Sequence, residues 1–254
     1  MVTTTSSLFI RTSADDLTLA RVVSQRLVSH RQKFNRRVSF TLNLREALAA
    51  APSSLTDSVN QVEVFITAPV SIVPLSEFTE SEAQTLYQAT FRNDDRVRVL
   101  SDVLPAAQIS LVYGAAENVC RAVEEAFPHV SYHNALVPIL QSGPIVHSDG
   151  LTMVVYGHED QTDIVLWEGR TFLTLNTFTT HHANDAAFFI LGMMQALGYE
   201  ASDFHLSVVG EEPKREAIVK ALEPFVSATS ETLSAEFSKL PYPLACAMRM
   251  SPSR

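Results

Sequence analysis

The sequence predicts an α/β protein of two similar lobes, each with a mixed β-sheet flanked by helices. The main observation is that one order of elements occurs twice: three strands, a helix, a strand and a helix. The first series begins near Leu8 and the second near Leu151. Two packed copies of one α/β unit leave a cleft between them, and clefts are where ligands bind. The turn-rich segment 141–150 separates the two series, so we predict lobes at 1–145 and 146–254.

The strands of the first lobe are predicted from apolar residues that recur at every second position. Strands are expected at 8–13, 17–23, 38–42 and 62–67, with the basic segment 26–37 as a solvated loop. Asn43 predicts a helix N-terminus, because Glu46 follows three residues later. Next we predict a capping box at 79–82 that starts a helix, and strands at 96–104 and 108–113, the second of which ends at Gly114. A helix at 116–127, a strand at 130–132 and a helix at 135–140 complete the lobe.

The second lobe opens with an antiparallel meander. Short strands at 153–156, 163–167 and 171–175 are separated by tight polar turns. Asn184 is expected to cap the following apolar helix, which stops at Gly198. The remaining elements are a strand at 206–209, a tight turn at Gly210, a helix starting at Pro213, a further strand after 227 and a helix at 244–248.

Composition bounds the possible partners and the compartment. The 254 residues carry 19 basic and 28 acidic side chains, and the net charge of −9 disfavours nucleic acid or an anionic membrane as the main partner. Two cysteines, Cys120 and Cys246, do not make a disulfide framework. The longest apolar run, 186–197, is too short to cross a bilayer, and the first seven residues lack a signal-peptide layout. We therefore expect a cytoplasmic protein without direct membrane insertion.

Several motifs of the second lobe carry a family resemblance. They are TLNTF at 174–178, DAAFFIL at 185–191, Gly198-Tyr199 and LSVVG at 206–210. With the order of elements, these motifs resemble a bacterial family of uncharacterised proteins that have the actin-like ATPase fold, a duplicated ribonuclease-H-like fold. The resemblance covers about 8–225. More distantly, the layout is similar to the cytoplasmic actin-like subunits of type IV pilus and type II secretion machines, which act chiefly as assembly platforms.

The resemblance implies three nucleotide-binding loops. Active members place an Asp-x-Gly turn after the first strand of each lobe and paired glycines after a later strand. Here the first turn, 11–15, has no glycine, the second has Tyr156 in place of the carboxylate, and the third, 210–213, keeps one glycine. The candidate cofactor-binding residues that remain are Ser13, Asp15, Gly157, Gly210 and Glu211.

The acidic residues of these loops allow more than one interpretation. Asp15 and Asp16 could coordinate a metal through water, or form a solvated turn. Glu211 and its neighbour Glu212 would cap the following helix and repel phosphate, or accept hydrogen bonds from a ribose. The pair His181-His182 does not suit one metal ion, because adjacent residues of an extended segment point in opposite directions. No catalytic residue or metal ligand is assigned.

The predicted function is that of a non-catalytic actin-like module that binds another protein, as a homodimer or an assembly scaffold, without a cofactor. The alternative is a nucleotide-binding protein or weak ATPase that uses ATP and magnesium through its variant loops. A third hypothesis, a metal-dependent enzyme of the ribonuclease-H type, needs clustered carboxylates on the central strands, where Glu63 is the main one.

Overall fold

The computed structural model describes residues 7–91, 96–142, 150–230 and 233–250. Two compact units divide the chain: Met1–Ser142 with Pro243–Arg254, and Gly143–Tyr242. The first unit contains strands β1 (Ser7–Thr12), β2 (Asp16–Val23), β3 (Arg26–Lys33), β4 (Gln61–Ile66), β5 (Val70–Pro74), β6 (Val97–Leu104), β7 (Ile109–Ala116) and β8 (Val130–Asn134), and helices α1 (Phe40–Ala49), α2 (Ser53–Thr56), α3 (Ala83–Thr90), α4 (Glu117–Ala126) and α5 (Val137–Gln141).

The main sheet of the first unit has the strand order β3-β2-β1-β4-β8. β1, β2 and β3 are antiparallel neighbours, and β4 and β8 continue the sheet in the direction of β1. Apolar side chains of β1 and β4, such as Leu8, Ile10 and Val64, form the core with Leu44 of α1 and Val123 of α4. A smaller antiparallel sheet, β5-β7-β6, completes the unit.

The second unit repeats this topology. It contains β9 (Leu151–His158), β10 (Gln161–Glu168), β11 (Thr171–Thr179), β12 (Phe204–Gly210), β13 (Ala228–Ser230) and helices α6 (Ala183–Ala196) and α7 (Lys214–Leu222); α8 (Tyr242–Met250) ends the described chain. The sheet order is β11-β10-β9-β12-β13, again with three antiparallel strands followed by two parallel ones. The predicted α/β fold with mixed sheets flanked by helices is therefore confirmed.

The third strand of the first unit was assigned to the wrong segment. β3 occupies Arg26–Lys33, part of the segment predicted as a loop, while 38–42 leads into α1 and Ser39 is its N-cap. The reason is the turn between β2 and β3, where Ser24 and Gln25 both adopt positive φ. Such a two-residue turn returns the chain at once to pair with β2. No glycine or asparagine marks it in the sequence.

Four local predictions are also wrong. Asn43 does not cap a helix, because its side chain joins the backbone of Asn35 within the loop before α1. The capping box at 79–82 does not form: the Thr79 hydroxyl bonds the Glu82 carboxylate, and α3 starts only at Ala83. Gly114 does not close β7, which continues to Ala116. His182, not Asn184, is the N-cap of α6.

The boundary segment 141–150 lies mostly outside the described residues. Among the helices that are described, none combines the length and the apolar character that crossing a membrane requires.

Candidate functional site

The turn between β1 and β2 brings together the first two candidate residues. The Ser13 amide donates to the Asp16 carbonyl at 3.0 Å. The Ser13 hydroxyl accepts hydrogen bonds from the amides of Asp15 and Asp16, at 3.2 and 3.3 Å. The Asp15 carboxylate pairs with Arg36 at 2.9 Å. The amides of this turn, which could face a phosphate, are therefore bonded to the Ser13 side chain.

Asp16 is the buried charge of this turn. Its Oδ1 accepts from Arg11 at 3.2 Å, and its Oδ2 accepts from Nε of Arg31 at 2.8 Å. Only 2% of Arg11 is exposed. The side chain of Arg11 also reaches the Thr67 hydroxyl, at 3.4 Å. A carboxylate held between two guanidinium groups links β1, β2 and β3 rather than presenting its oxygens to a metal ion.

Gly157 and Gly210 are brought together in the second unit as cross-strand neighbours on β9 and β12. Gly210 has φ +126°, and a Cβ built on it would lie 2.5 Å from the Gly157 carbonyl oxygen. A Cβ on Gly157 would lie 2.6 Å from Cδ1 of Ile218 and 3.4 Å from Cγ of Lys214. The close packing of the unit therefore requires a glycine at 210, and α7 side chains occupy the space over Gly157.

Lys214 is a residue of this site that the sequence analysis did not identify. Its ammonium group donates to the carbonyl oxygens of Glu159 and Gln161, at 2.7 and 2.8 Å. The carbonyls of His158 and Thr180 lie at 3.3 and 3.2 Å. Burial lowers the pKa of Lys214 below its usual value. The only signal in the sequence is a lysine at the first turn of a helix, which the helix dipole disfavours.

The polar residues of the β9–β10 hairpin form a second buried group. Nε2 of His158 lies 2.7 Å from Oδ2 of Asp163, with both side chains at most 5% exposed. The Thr177 hydroxyl donates to Oδ1 of Asp163, and Tyr156 stacks on His158 with ring centroids 4.5 Å apart. The Asp163 carboxylate is thus bonded to neighbouring side chains of its own sheet. Tyr156 is also buried.

Glu211 and Glu212 precede α7. Glu211 provides the carbonyl that accepts the Arg215 amide at 3.1 Å. The Glu212 carboxylate accepts the Glu216 amide at 3.2 Å and bonds the Arg215 guanidinium. Carboxylates at this end of a helix satisfy free amides and complement the dipole.

The two histidines at the start of α6 do not share a ligand site. The amides of His181 and His182 both donate to Oδ2 of Asp185, at 3.0 and 2.9 Å. Within the described ranges, no group of three or more histidine, cysteine, aspartate or glutamate side chains is arranged to hold a metal ion.

Three comparisons relate this geometry to known proteins. The sequence pattern of DUF3822, described as a protein of unknown function, matches residues 2–228. The chain belongs to the DUF3822 family. A search of curated proteins finds no significant match. The family resemblance noted in the sequence is confirmed.

The structure of this DUF3822 member is similar to several solved structures. One is a protein of Bacteroides thetaiotaomicron with an actin-like ATPase fold and unknown function (TM-score 0.79, 18% identity, 90% of this chain and 91% of that chain). A second is from the PilM–PilN type IV pilus biogenesis complex (TM-score 0.60, 13% identity, 96% and 98%). A third is the ethanolamine utilization protein EutJ of Carboxydothermus hydrogenoformans (TM-score 0.53, 10% identity, 96% and 89%). At these identities the similarity establishes the actin-like ATPase fold alone.

Glu63 belongs to a cluster that the sequence did not predict. His133 on β8 lies between two carboxylates: its Nε2 is 2.8 Å from Oε2 of Glu63, and its Nδ1 is 2.8 Å from Oδ1 of Asp102. The other oxygen of Asp102 accepts the Asn134 amide at 2.8 Å. Because Asp102 lies on β6, the cluster ties the small sheet of the first unit to the main one. Glu63 is therefore part of a link between sheets.

The His133 cluster predicts a pH-dependent stability. Burial opposes the charge of the imidazole, but hydrogen bonds to Asp102 and Glu63 outweigh it and raise the pKa of His133 to about 9. Since the pKa of histidine in the unfolded chain is about 6.5, the stabilisation by the charged imidazole is complete below pH 6.5. It is lost as the pH rises through 9. We expect the free energy of unfolding to fall by about 1 kcal/mol, because the imidazole is partly exposed.

Urea unfolding of the wild type and of His133→Gln between pH 6.5 and 9.5 measures this effect. The glutamine keeps a polar side chain that does not titrate, so the additional fall in stability should be absent from the variant. Equal pH slopes in the two proteins would show that His133 is not charged in the folded state.

Proposed function

We propose that this protein is a non-catalytic actin-like module that acts as a protein-interaction or assembly scaffold. The observation that carries the proposal is the ammonium group of Lys214, which is bonded to backbone carbonyls of the β9–β10 hairpin. A lysine bonded in this way holds the hairpin closed, and it is not directed at a phosphate group.

The other loops support the same interpretation. A nucleotide with magnesium needs free backbone amides and a carboxylate that can face the metal. In the first unit, the turn amides bond Ser13 and the buried carboxylate of Asp16 bonds two arginines. In the second unit, the space above Gly157 is taken by Ile218 and Lys214. These contacts support the proposal that the loops do not hold a triphosphate.

The comparison with the pilus complex favours a protein partner. PilM has the same fold, and it is found with PilN in a type IV pilus biogenesis complex. We extend this mode of action to the present chain as a proposal: the framework is retained to present surfaces to another protein. The net charge of −9 argues against nucleic acid and against insertion into an anionic membrane.

We also propose that the protein is cytoplasmic. Cys120 and Cys246 are both buried, and Cys120 is a free thiol. Free thiols are typical of a reducing compartment, whereas exported proteins of this size more often use paired cysteines. Burial raises the pKa of the Cys120 thiol, so this side chain is an inert part of the core.

Isothermal titration of ATP with magnesium tests the proposal. We expect no binding heat from ATP up to millimolar concentration. ADP, titrated as a second ligand, should give no binding heat either. Clear micromolar binding would favour the alternative, a nucleotide-binding protein with variant loops. In that case Asp15→Asn, which changes an exposed loop carboxylate, should weaken binding in the presence of magnesium. Gly210 is unsuitable for this purpose, since any side chain there would collide with Gly157.

A further inference from the structure

Helix α6 exposes a large aromatic side chain next to a glycine. Phe188 is 71% exposed, the largest value for a large hydrophobic side chain in the described residues. Gly192 lies one turn later on the same side of the helix and is also exposed. A Cβ built on Gly192 would meet no atom within 4 Å. Since glycine inside a helix is unfavourable, and no contact within the unit requires it here, this position calls for another explanation.

The surroundings of Phe188 are apolar as well. Phe188 meets Phe189 edge-on with centroids 5.5 Å apart, and Phe189 stacks on Phe178 of β11 at 4.3 Å. A row of three rings therefore leads from the exposed side of α6 to the edge strand of the sheet. Phe178 and Phe189 are partly buried against the core of the unit, so Phe188 is the exposed end of this row.

The same side of α6 carries no charge. We define the α6 face as Asn184, Phe188, Leu191, Gly192 and Gln195. The only charged residue of the helix, Asp185, accepts two backbone amides at the N-terminus. In a chain with a net charge of −9, an uncharged face is where two copies can approach with the least repulsion.

We propose that the α6 face is a homodimer contact in which two copies pack antiparallel about a two-fold axis. Phe188 of each copy then covers Gly192 of the other. The two positions are about 6 Å apart along the helix, and a two-fold axis midway between them satisfies both contacts at once. The missing side chain of Gly192 gives the ring of Phe188 a place to insert. The inference deepens the proposed function, on which it rests, by naming one partner as a second copy.

The size of the contact sets the expected affinity. A helix of 14 residues is about 21 Å long. Two such faces bury less surface than a standard protein–protein interface, even with the rings of Phe178 and Phe189 at the margin. We therefore expect self-association in the micromolar range, with monomers at nanomolar concentration.

Sedimentation velocity over a concentration series from about 1 to 500 μM tests the inference. The wild type should shift from monomer to dimer. Phe188→Ala removes the inserted ring, and Gly192→Arg fills its site with a charged side chain that a helix tolerates. Both variants should weaken the dimer at least 100-fold. Gln84→Arg, an exposed change of the same kind on α3, is the matched control and should dimerise as the wild type does.

A wild type that stays monomeric throughout the series would overturn the inference. A dimer that persists in either Phe188→Ala or Gly192→Arg would overturn it as well. Thermal melts confirm folding, and Gly192→Arg should melt no lower than the wild type because the site is open. Nucleotide titration of the same preparations tests the proposed function separately: a dimer that binds ATP contradicts only that function, and a monomer that does not bind ATP contradicts only the homodimer.

Discussion

Replacement of Lys214 by methionine should lower the free energy of unfolding by about 3–5 kcal/mol. Methionine retains most of the apolar stem, but the ammonium group that donates to the carbonyls of Glu159 and Gln161 is lost. Several partly buried acceptors then lose this donor, and each buried group that is left unsatisfied costs about 1–3 kcal/mol. Urea unfolding monitored by circular dichroism measures the change.

Lys220 provides the matched control for this experiment. It lies on the same helix and is exposed. Lys220→Met should change the stability by less than about 0.5 kcal/mol. If Lys214→Met were as mild as the control, the ammonium group would not be holding the hairpin, and the main support for a lost phosphate site would disappear.

Gly210→Ala should be destabilising by about 3 kcal/mol. The residue has φ +126°, which side chains rarely adopt, and its new Cβ would lie 2.5 Å from the carbonyl oxygen of Gly157. That oxygen belongs to the neighbouring strand β9, so the backbone of the sheet would have to move. Thermal and urea unfolding both report the loss.

Gly192→Ala is the matched change at a glycine with the opposite environment. A Cβ at this position meets nothing within 4 Å, and the residue lies inside α6. Alanine should therefore stabilise the protein by about 0.5–1 kcal/mol, measured at a concentration low enough to keep it monomeric. Equal effects of the two substitutions would show that Gly210 is not constrained by Gly157.

The sequence predicts the duplicated α/β fold because the signals involved are strong and local. Period-two alternation finds β4, and the buried stripe of α4 is clear. β3 could not be found in the same way. It is an edge strand in which basic and polar residues outnumber apolar ones, and it is fixed mainly by its pairing with β2.

The features of the candidate site could likewise be predicted only in part. The absence of a glycine from the first loop and the presence of Tyr156 in the second can be read directly from the sequence. The distant groups to which the buried polar side chains bond cannot, because the partners lie far apart along the chain. Lys214 reaches a hairpin more than fifty residues earlier, and His133 joins Glu63 across seventy. Such contacts depend on the tertiary fold rather than on spacing in the sequence.

We propose that the loops at Gly157 and Gly210 are packing contacts and do not bind phosphate. Backbone amide NMR tests it at the residues concerned, since the chain has only 8 glycines and their signals are readily assigned. On addition of millimolar ATP with magnesium, we expect the amide signals of Gly157 and Gly210 to stay in place. Saturable shifts of these two signals would contradict the claim.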